Sequence, residues 1–169
     1  MFKAYHRNGR LAFIPALPVG RRRAGFPAIL MNKFVWTKEY ELGVGVIDDQ
    51  HKHFFDIVNK IYGLLEDKNT KDDDVRKVVI ELMDYAYFHL ATEEKYFAQF
   101  AYSDIANHMK YHTDFRIKSS EYLERINAGG ADMPALLLEV DDFAKNWLSH
   151  HILVADKAYA PFFQAHGLN

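Results

Sequence analysis

Residues 105–126 read IANHMKYHTDFRIKSSEYLERI, and one set of positions in this stretch recurs at alternating intervals of three and four residues. Those positions are Ile105, His108, His112, Phe115, Ser119, Tyr122 and Ile126. Because this interval keeps side chains on one face of an α-helix, it predicts a helix with histidine at two of its first three inward positions. We expect this helix to begin near Ser103 or Asp104, which are suitable N-caps, and to end at Gly129–Gly130.

Three other stretches have the same period. The first begins after Ile47, where Asp48 or Asp49 can cap it. The second follows the polar break at 67–74, and the last begins near Asp132. On the last helix the expected inward positions are Leu137, Val140, Ala144, Trp147, His151 and Val154. Four helices joined by short polar loops predict an all-α fold, an antiparallel up-down-up-down four-helix bundle.

The first 30 residues differ in composition from the rest. They carry six basic residues, no acidic residue and three of the five prolines, without helical or alternating periodicity. We therefore interpret residues 1–30 as a basic, disordered extension and residues 31–169 as the bundle domain. We favour Met31 as the natural start of translation; a nucleic-acid arm, a targeting peptide and an upstream extension stay open. Residues 33–47 are apolar, and we expect this lead-in segment to lie extended along the bundle surface.

Composition excludes several classes of protein and site. The chain has no cysteine, which excludes disulfide scaffolds, thiolate zinc sites and iron–sulfur clusters. Residues 31–169 hold 15 basic against 23 acidic residues, a formal charge of −8, which argues against nucleic acid as a partner of the domain. No apolar run approaches the roughly 20 residues of a membrane helix, so we expect no membrane insertion and a cytoplasmic location.

Each of the four helices places histidine among its inward positions. These histidines are His51, His89, His108, His112 and His151. Glu93 follows His89 by one helical turn, so both leave the same face. Burying these groups costs several kcal/mol unless each is hydrogen-bonded, paired or bound to metal. Alone, His51 would be interpreted as a hydrogen-bonded core histidine, whereas His89 with Glu93 would fit an i,i+4 hydrogen bond and a metal-binding pair equally well.

The five inward histidines taken together favour metal binding. Five nitrogen donors plus carboxylate exceed the four positions of a structural zinc site, which suggests two ions. Imidazole with bridging carboxylate suits iron or manganese, and the histidine-rich donor set favours iron. We assign no metal role to His53, His150 or His166, which lie off the inward face or in the terminal tail.

The order of these motifs resembles the hemerythrin family, in particular its single-domain bacterial members. The motifs are Asp48-Asp49-Gln50-His51, His89-x-x-x-Glu93, His108-x-x-x-His112 and Trp147-x-x-x-His151-Ile152-x-x-x-Asp156. The resemblance covers about residues 33–169. It implies a non-haem di-iron centre, with one iron bound by three histidines and the other by two. In that assignment the first iron takes His108, His112 and His151, and the second takes His51 and His89. Glu93, Asp156 and an oxo or hydroxo group would bridge the two irons.

Asp156 enters this set through the resemblance alone. It lies five residues after His151, about 140° away around an ideal helix, so the helix must widen or unwind there for both to reach the same metals. Without the resemblance, Asp156 would be read as a solvated acid paired with Lys157 or another base.

The resemblance also implies reversible binding of O2 or another small diatomic ligand at the open position of the two-histidine iron. The function expected is oxygen transport, storage or delivery, without catalysis except for side activity of the peroxidase type. The partner that would accept oxygen is not identified. Apolar neighbours expected to keep the pocket dry are Ile47, Leu90, Trp147 and Val154. The alternatives are a di-iron enzyme, such as a peroxidase or nitric-oxide reductase, and an iron-storage or metal-holding bundle.

Overall fold

The computed structural model describes the strands at 2–5 and 11–14 and all of residues 33–169. The bundle consists of α1 (Gly45–Glu66), α2 (Asp72–Phe100), α3 (Ile105–Ala128) and α4 (Met133–His150). The fourth helix continues without a break through a π-helical segment (His151–Asp156) into α5 (Lys157–Ala165). Helices that follow one another in sequence pack against each other, and α1 also contacts α4, which closes the bundle. The predicted all-α four-helix bundle is confirmed. None of the described helices is long and apolar enough to cross a lipid bilayer.

The ends of α3 and α4 follow from local sequence. Asp132 caps α4, since its side chain accepts a hydrogen bond from the Ala135 N–H at 3.1 Å, and Pro134 occupies the first turn. Helix α3 stops before Gly129 and Gly130, both of which have positive φ angles that favour glycine. The predicted limits of α3 and the predicted start of α4 are confirmed within one or two residues.

The start of α1 differs from the prediction. The helix begins at Gly45, and neither Asp48 nor Asp49 is its cap. Asp48 instead lies in the first turn and accepts hydrogen bonds from the backbone N–H groups of Leu42 and Gly43 at 2.8 and 2.9 Å. This carboxylate therefore fastens the lead-in segment to the bundle.

Replacing Asp48 with Ala should lower the free energy of unfolding by about 1–3 kcal/mol, because it leaves a buried and a half-buried N–H without a partner. Urea unfolding monitored by circular dichroism measures the change. The matched control is Asp49→Ala, whose side chain is 77% exposed and should matter little. Equal stability of the two variants would contradict this role of Asp48.

The lead-in segment lies along the bundle, as predicted. The ring of Phe34 stacks on Phe55 of α1 with 3.9 Å between centroids. The Asn59 amide binds both the N–H and the carbonyl of Phe34, at 2.8 and 2.9 Å. Leu42 and Val44 are buried in the core. The segment is thus part of the folded domain.

Two short strands lie near the start of the chain, where no regular structure was expected. β1 (Phe2–Tyr5) and β2 (Leu11–Ile14) pair antiparallel. Each strand is only four residues long, too short for alternation to be recognised, but both are rich in apolar and aromatic residues. The intervening sequence contains Asn8-Gly9, a dipeptide typical of tight hairpins that could have indicated the two strands. The predicted start of translation at Met31 lies outside the described residues. The boundary between the extension (1–30) and the bundle domain (31–169) stays a prediction.

Candidate metal centre

All seven residues proposed as metal ligands lie inside the bundle, each no more than 5% exposed. They form two groups whose donor atoms lie within 4.8 Å of one another. The three-histidine group contains Glu93, His108, His112 and His151. The two-histidine group contains His51, His89, Glu93 and Asp156. Helix α1 supplies one histidine and α3 two, while α2 and the π-helical segment that continues α4 each supply one histidine and one carboxylate.

Glu93 faces both groups. Its Oε2 lies 3.0 Å from the Nε2 atom of His112 and 3.4 Å from that of His108, in the three-histidine group. Its Oε1 lies 3.6 Å from the Nε2 atom of His89, in the two-histidine group. One oxygen therefore points to each group, which is the arrangement that a bridging carboxylate needs.

Asp156 repeats this arrangement from the opposite side. Its Oδ1 lies 3.1 Å from His151 Nε2, and its Oδ2 lies 3.2 Å from His51 Nε2. The π-helical segment makes this possible, because i→i+5 hydrogen bonds widen the turn so that residues five apart share a face. The predicted widening of the helix between His151 and Asp156 is confirmed.

Several buried polar atoms of the centre lack a hydrogen-bonding partner, and metal ions would satisfy them. Both carboxylate oxygens of Asp156 and the Nε2 atom of His151 accept or donate no hydrogen bond among the described residues. The Nε2 atoms of His108 and His112 face each other at 3.0 Å, and those of His51 and His89 at 3.2 Å. Buried polar atoms without a hydrogen-bonding partner, such as those of Asp156 and His151, cost free energy in the folded protein. Two imidazole-rich groups that share two carboxylates fit a pair of divalent metal ions.

Burial keeps histidines of the centre in the neutral form that metal binding requires. It lowers the pKa of His89, and it lowers the pKa of His51 well below 6.5 with a further contribution from His89. Burial also lowers the pKa of His151 to about 3, although Glu93 opposes this shift. These imidazoles are therefore available as nitrogen donors at neutral pH.

The pKa values of the two carboxyl groups are shifted in opposite directions when no metal is bound. Burial raises the pKa of Glu93, but the surrounding histidines outweigh it and hold that pKa well below its usual value. Burial and the neighbouring Glu93 raise the pKa of Asp156 well above its usual value. Bound cations would favour the ionised form of both carboxyl groups.

Three residues that contact the candidate ligands were not identified from sequence. The Tyr159 hydroxyl donates to Oε1 of Glu93. The Gln50 amide oxygen lies 3.0 Å from Nδ1 of His89. Oε1 of Glu94 lies 2.7 Å from Nδ1 of His112. Each of the three residues lies close to a candidate ligand in the sequence. A ligating histidine needs a hydrogen-bond acceptor at its outer nitrogen, and this requirement could have indicated Gln50 and Glu94.

The four residues expected to form a dry pocket have different environments. Ile47 and Leu90 are completely buried. The indole of Trp147 stacks on the His151 ring, with 4.2 Å between centroids and 20° between planes. Val154 is 50% exposed, so its predicted inward position is wrong. The widened turn that brings Asp156 inward moves Val154, three residues after His151, off the inner face.

The histidines given no metal role, His53, His150 and His166, are exposed and belong to neither group. Their exposure separates them from the five buried histidines of the centre.

Comparison with known proteins connects this centre to a family. Residues 42–163 match the family model described as hemerythrin HHE cation binding domain, a range that includes both groups. A bacteriohemerythrin of Clostridium acetobutylicum is 35% identical over 128 residues, which cover 75% of this chain and 98% of the relative. A bacteriohemerythrin of Methylococcus capsulatus is 31% identical over 136 residues, covering 80% and 100%. A crystal structure of wild-type hemerythrin superimposes with a TM-score of 0.67 at 30% identity, covering 76% of this chain and 95% of that one.

Proposed function

Since this chain belongs to the hemerythrin family, we propose that its metal centre holds two iron ions and binds O2 reversibly, as an oxygen carrier or store. The observation that carries the proposal is the pair of buried carboxylates, Glu93 and Asp156, each directing one oxygen to each histidine group. This arrangement supports two metal ions held at a short, fixed separation, as opposed to two independent sites.

The unequal numbers of histidines support ligand binding at one of the two positions. The three-histidine group offers one more nitrogen donor than the two-histidine group, while Glu93 and Asp156 each direct one oxygen to each group. A metal in the two-histidine group therefore has one fewer protein donor and is the one left open to a small ligand. When bound, the irons supply that open position and the electrons that reversible O2 binding requires.

The protein around the centre excludes water and fixes the donors. The centre is enclosed by an apolar core in which Ile47 and Leu90 are fully buried. Trp147 covers one face of the His151 ring. Tyr159 holds one oxygen of Glu93 by its hydrogen bond. A dry, preformed site of this kind slows the loss of a bound small ligand to reaction with water.

Tyr159 acts at this centre as a hydrogen-bond donor to Glu93. Burial, Asp156 and Glu93 raise the pKa of Tyr159 well above 10, so the hydroxyl keeps its proton at neutral pH. A cytoplasmic location and an oxygen-accepting partner stay predictions.

The test is a spectrum of the iron-loaded protein taken through a cycle of deoxygenation. Protein reduced anaerobically should be nearly colourless, should gain a visible absorption band when exposed to air, and should lose it when O2 is removed. Repetition over several cycles without loss of iron supports a carrier or store. An iron-loaded, reduced protein that shows no band in air, or that bleaches irreversibly after one exposure, would overturn the proposal.

A further inference from the structure

We propose that Glu94 is a positioning residue that strengthens metal binding at the three-histidine group alone, so that the chain holds its two metals with unequal strength. The inference rests on the proposed di-metal function. It concerns a residue outside the candidate ligand set.

Glu94 holds the outer nitrogen of one candidate ligand. Its Oε1 lies 2.7 Å from Nδ1 of His112, and since a carboxylate can only accept, His112 carries its proton on that nitrogen. The Nε2 atom of His112, which lies 3.0 Å from Glu93, is then the nitrogen left to bind a metal ion. Arg116 donates to the same Glu94 oxygen at 2.7 Å and fixes the carboxylate in place. The half-buried ion pair of Arg116 and Glu94 is thus connected through His112 to the centre of the bundle.

The two-histidine group has a neutral counterpart. The Gln50 amide oxygen lies 3.0 Å from Nδ1 of His89. The orientation of the amide is set by its nitrogen, which donates to Oγ1 of Thr92 at 3.3 Å. The Nδ1 atoms of His51 in this group and of His151 in the three-histidine group both lack a partner among the described residues, so the two groups differ in Gln50 against Glu94. Within residues 33–169, Glu94 supplies the one carboxylate that contacts an Nδ1 atom of the five histidines.

This difference in charge should produce a difference in metal binding. A carboxylate that accepts from the outer nitrogen raises the basicity of the imidazole, which then donates more strongly to a cation. A neutral amide orients the imidazole ring in the same way, but it carries no net charge and therefore raises the basicity of the ring less. Glu94 therefore strengthens binding at the three-histidine group, and Gln50 leaves the two-histidine group weaker.

A pair of reciprocal variants tests this with Co²⁺ as the probe, titrated into the metal-free full-length chain and followed by absorption and calorimetry. Glu94→Gln keeps the size and the acceptor oxygen but removes the charge. It should lower the affinity of one of the two Co²⁺ sites by about tenfold and leave the other within twofold. Gln50→Glu adds a carboxylate to the other group and should raise the affinity of the weaker site.

The site affected can be identified from the ring N–H resonances of the Co²⁺-loaded protein. Glu94→Gln should shift the His112 Nδ1–H signal, and Gln50→Glu should shift that of His89. The matched control is Glu139→Gln, which removes a carboxylate paired with Arg125 on the surface and should change neither affinity.

Equal weakening of both sites by Glu94→Gln, or no change in either, would overturn the inference. If Glu94→Gln failed to fold, no gain at the weaker site in Gln50→Glu would overturn it as well. Co²⁺ binding requires neither iron nor O2, so failure of the oxygen test and failure of this one are distinguishable.

Discussion

Replacing Glu93 with Gln should reduce the iron content of the purified protein from about two per chain to about one or fewer. The Glu93 carboxylate approaches histidines of both groups, within 3.0 Å of His112 and 3.6 Å of His89. Its removal therefore weakens both metal positions at once, whereas loss of a single histidine weakens one. Gln keeps the size of the side chain and an oxygen that can accept from Tyr159, so the bundle should remain folded.

Elemental analysis of protein purified without added metal measures this effect, with circular dichroism to verify folding. The matched control is Asp141→Asn, because Asp141 is also a buried acid, 2% exposed, but belongs to neither group. The control should keep the iron content of the parent chain. A Glu93→Gln protein that is folded and retains two irons would remove Glu93 from the centre.

The metal-free protein should lose stability as the pH falls below about 6.5. Burial lowers the pKa of His51, His89 and His151 in the folded chain, to about 3 for His151. Below pH 6.5 the unfolded chain therefore binds up to three protons at these residues that the folded chain binds only at lower pH. Asp156 opposes this, because its raised pKa favours the protonated form in the folded chain.

Three protons correspond to about 4 kcal/mol per pH unit, and since Asp156 opposes the histidines, the free energy of unfolding should fall by less than this for each pH unit. Urea unfolding at a series of pH values between 7 and 5 measures the slope. His53→Gln is the control variant, because His53 is exposed and belongs to neither group. With iron bound the loss should be steeper, since protons then also compete with metal for the imidazoles. A flat profile of the metal-free chain would contradict the neutral, buried histidines of the centre.

The helices and the five buried histidines could be predicted from sequence because both depend on helical periodicity. His108 and His112 lie on a mostly apolar face, and the structure buries both. Asp156 could not be placed by periodicity, since five residues do not return to one face of an α-helix. The resemblance placed Asp156, and the π-helical segment supplies the physical reason. The same segment explains the error at Val154.

Contacts between helices could not be predicted. Glu94 and His112 are 18 residues apart on different helices, and their hydrogen bond depends on the rotation of α2 against α3. The role of Asp48 depends in the same way on where the lead-in segment turns, and the sequence favoured it only as a cap. The two N-terminal strands were missed because four residues are too few to show alternation.

Metal analysis of the wild-type protein, purified without added metal, tests the central claim most directly. The account predicts two irons per chain, with a visible absorption band that appears in air and disappears when O2 is removed. Zinc in place of iron, or one metal per chain at full occupancy, would contradict a di-iron centre formed by the two histidine groups.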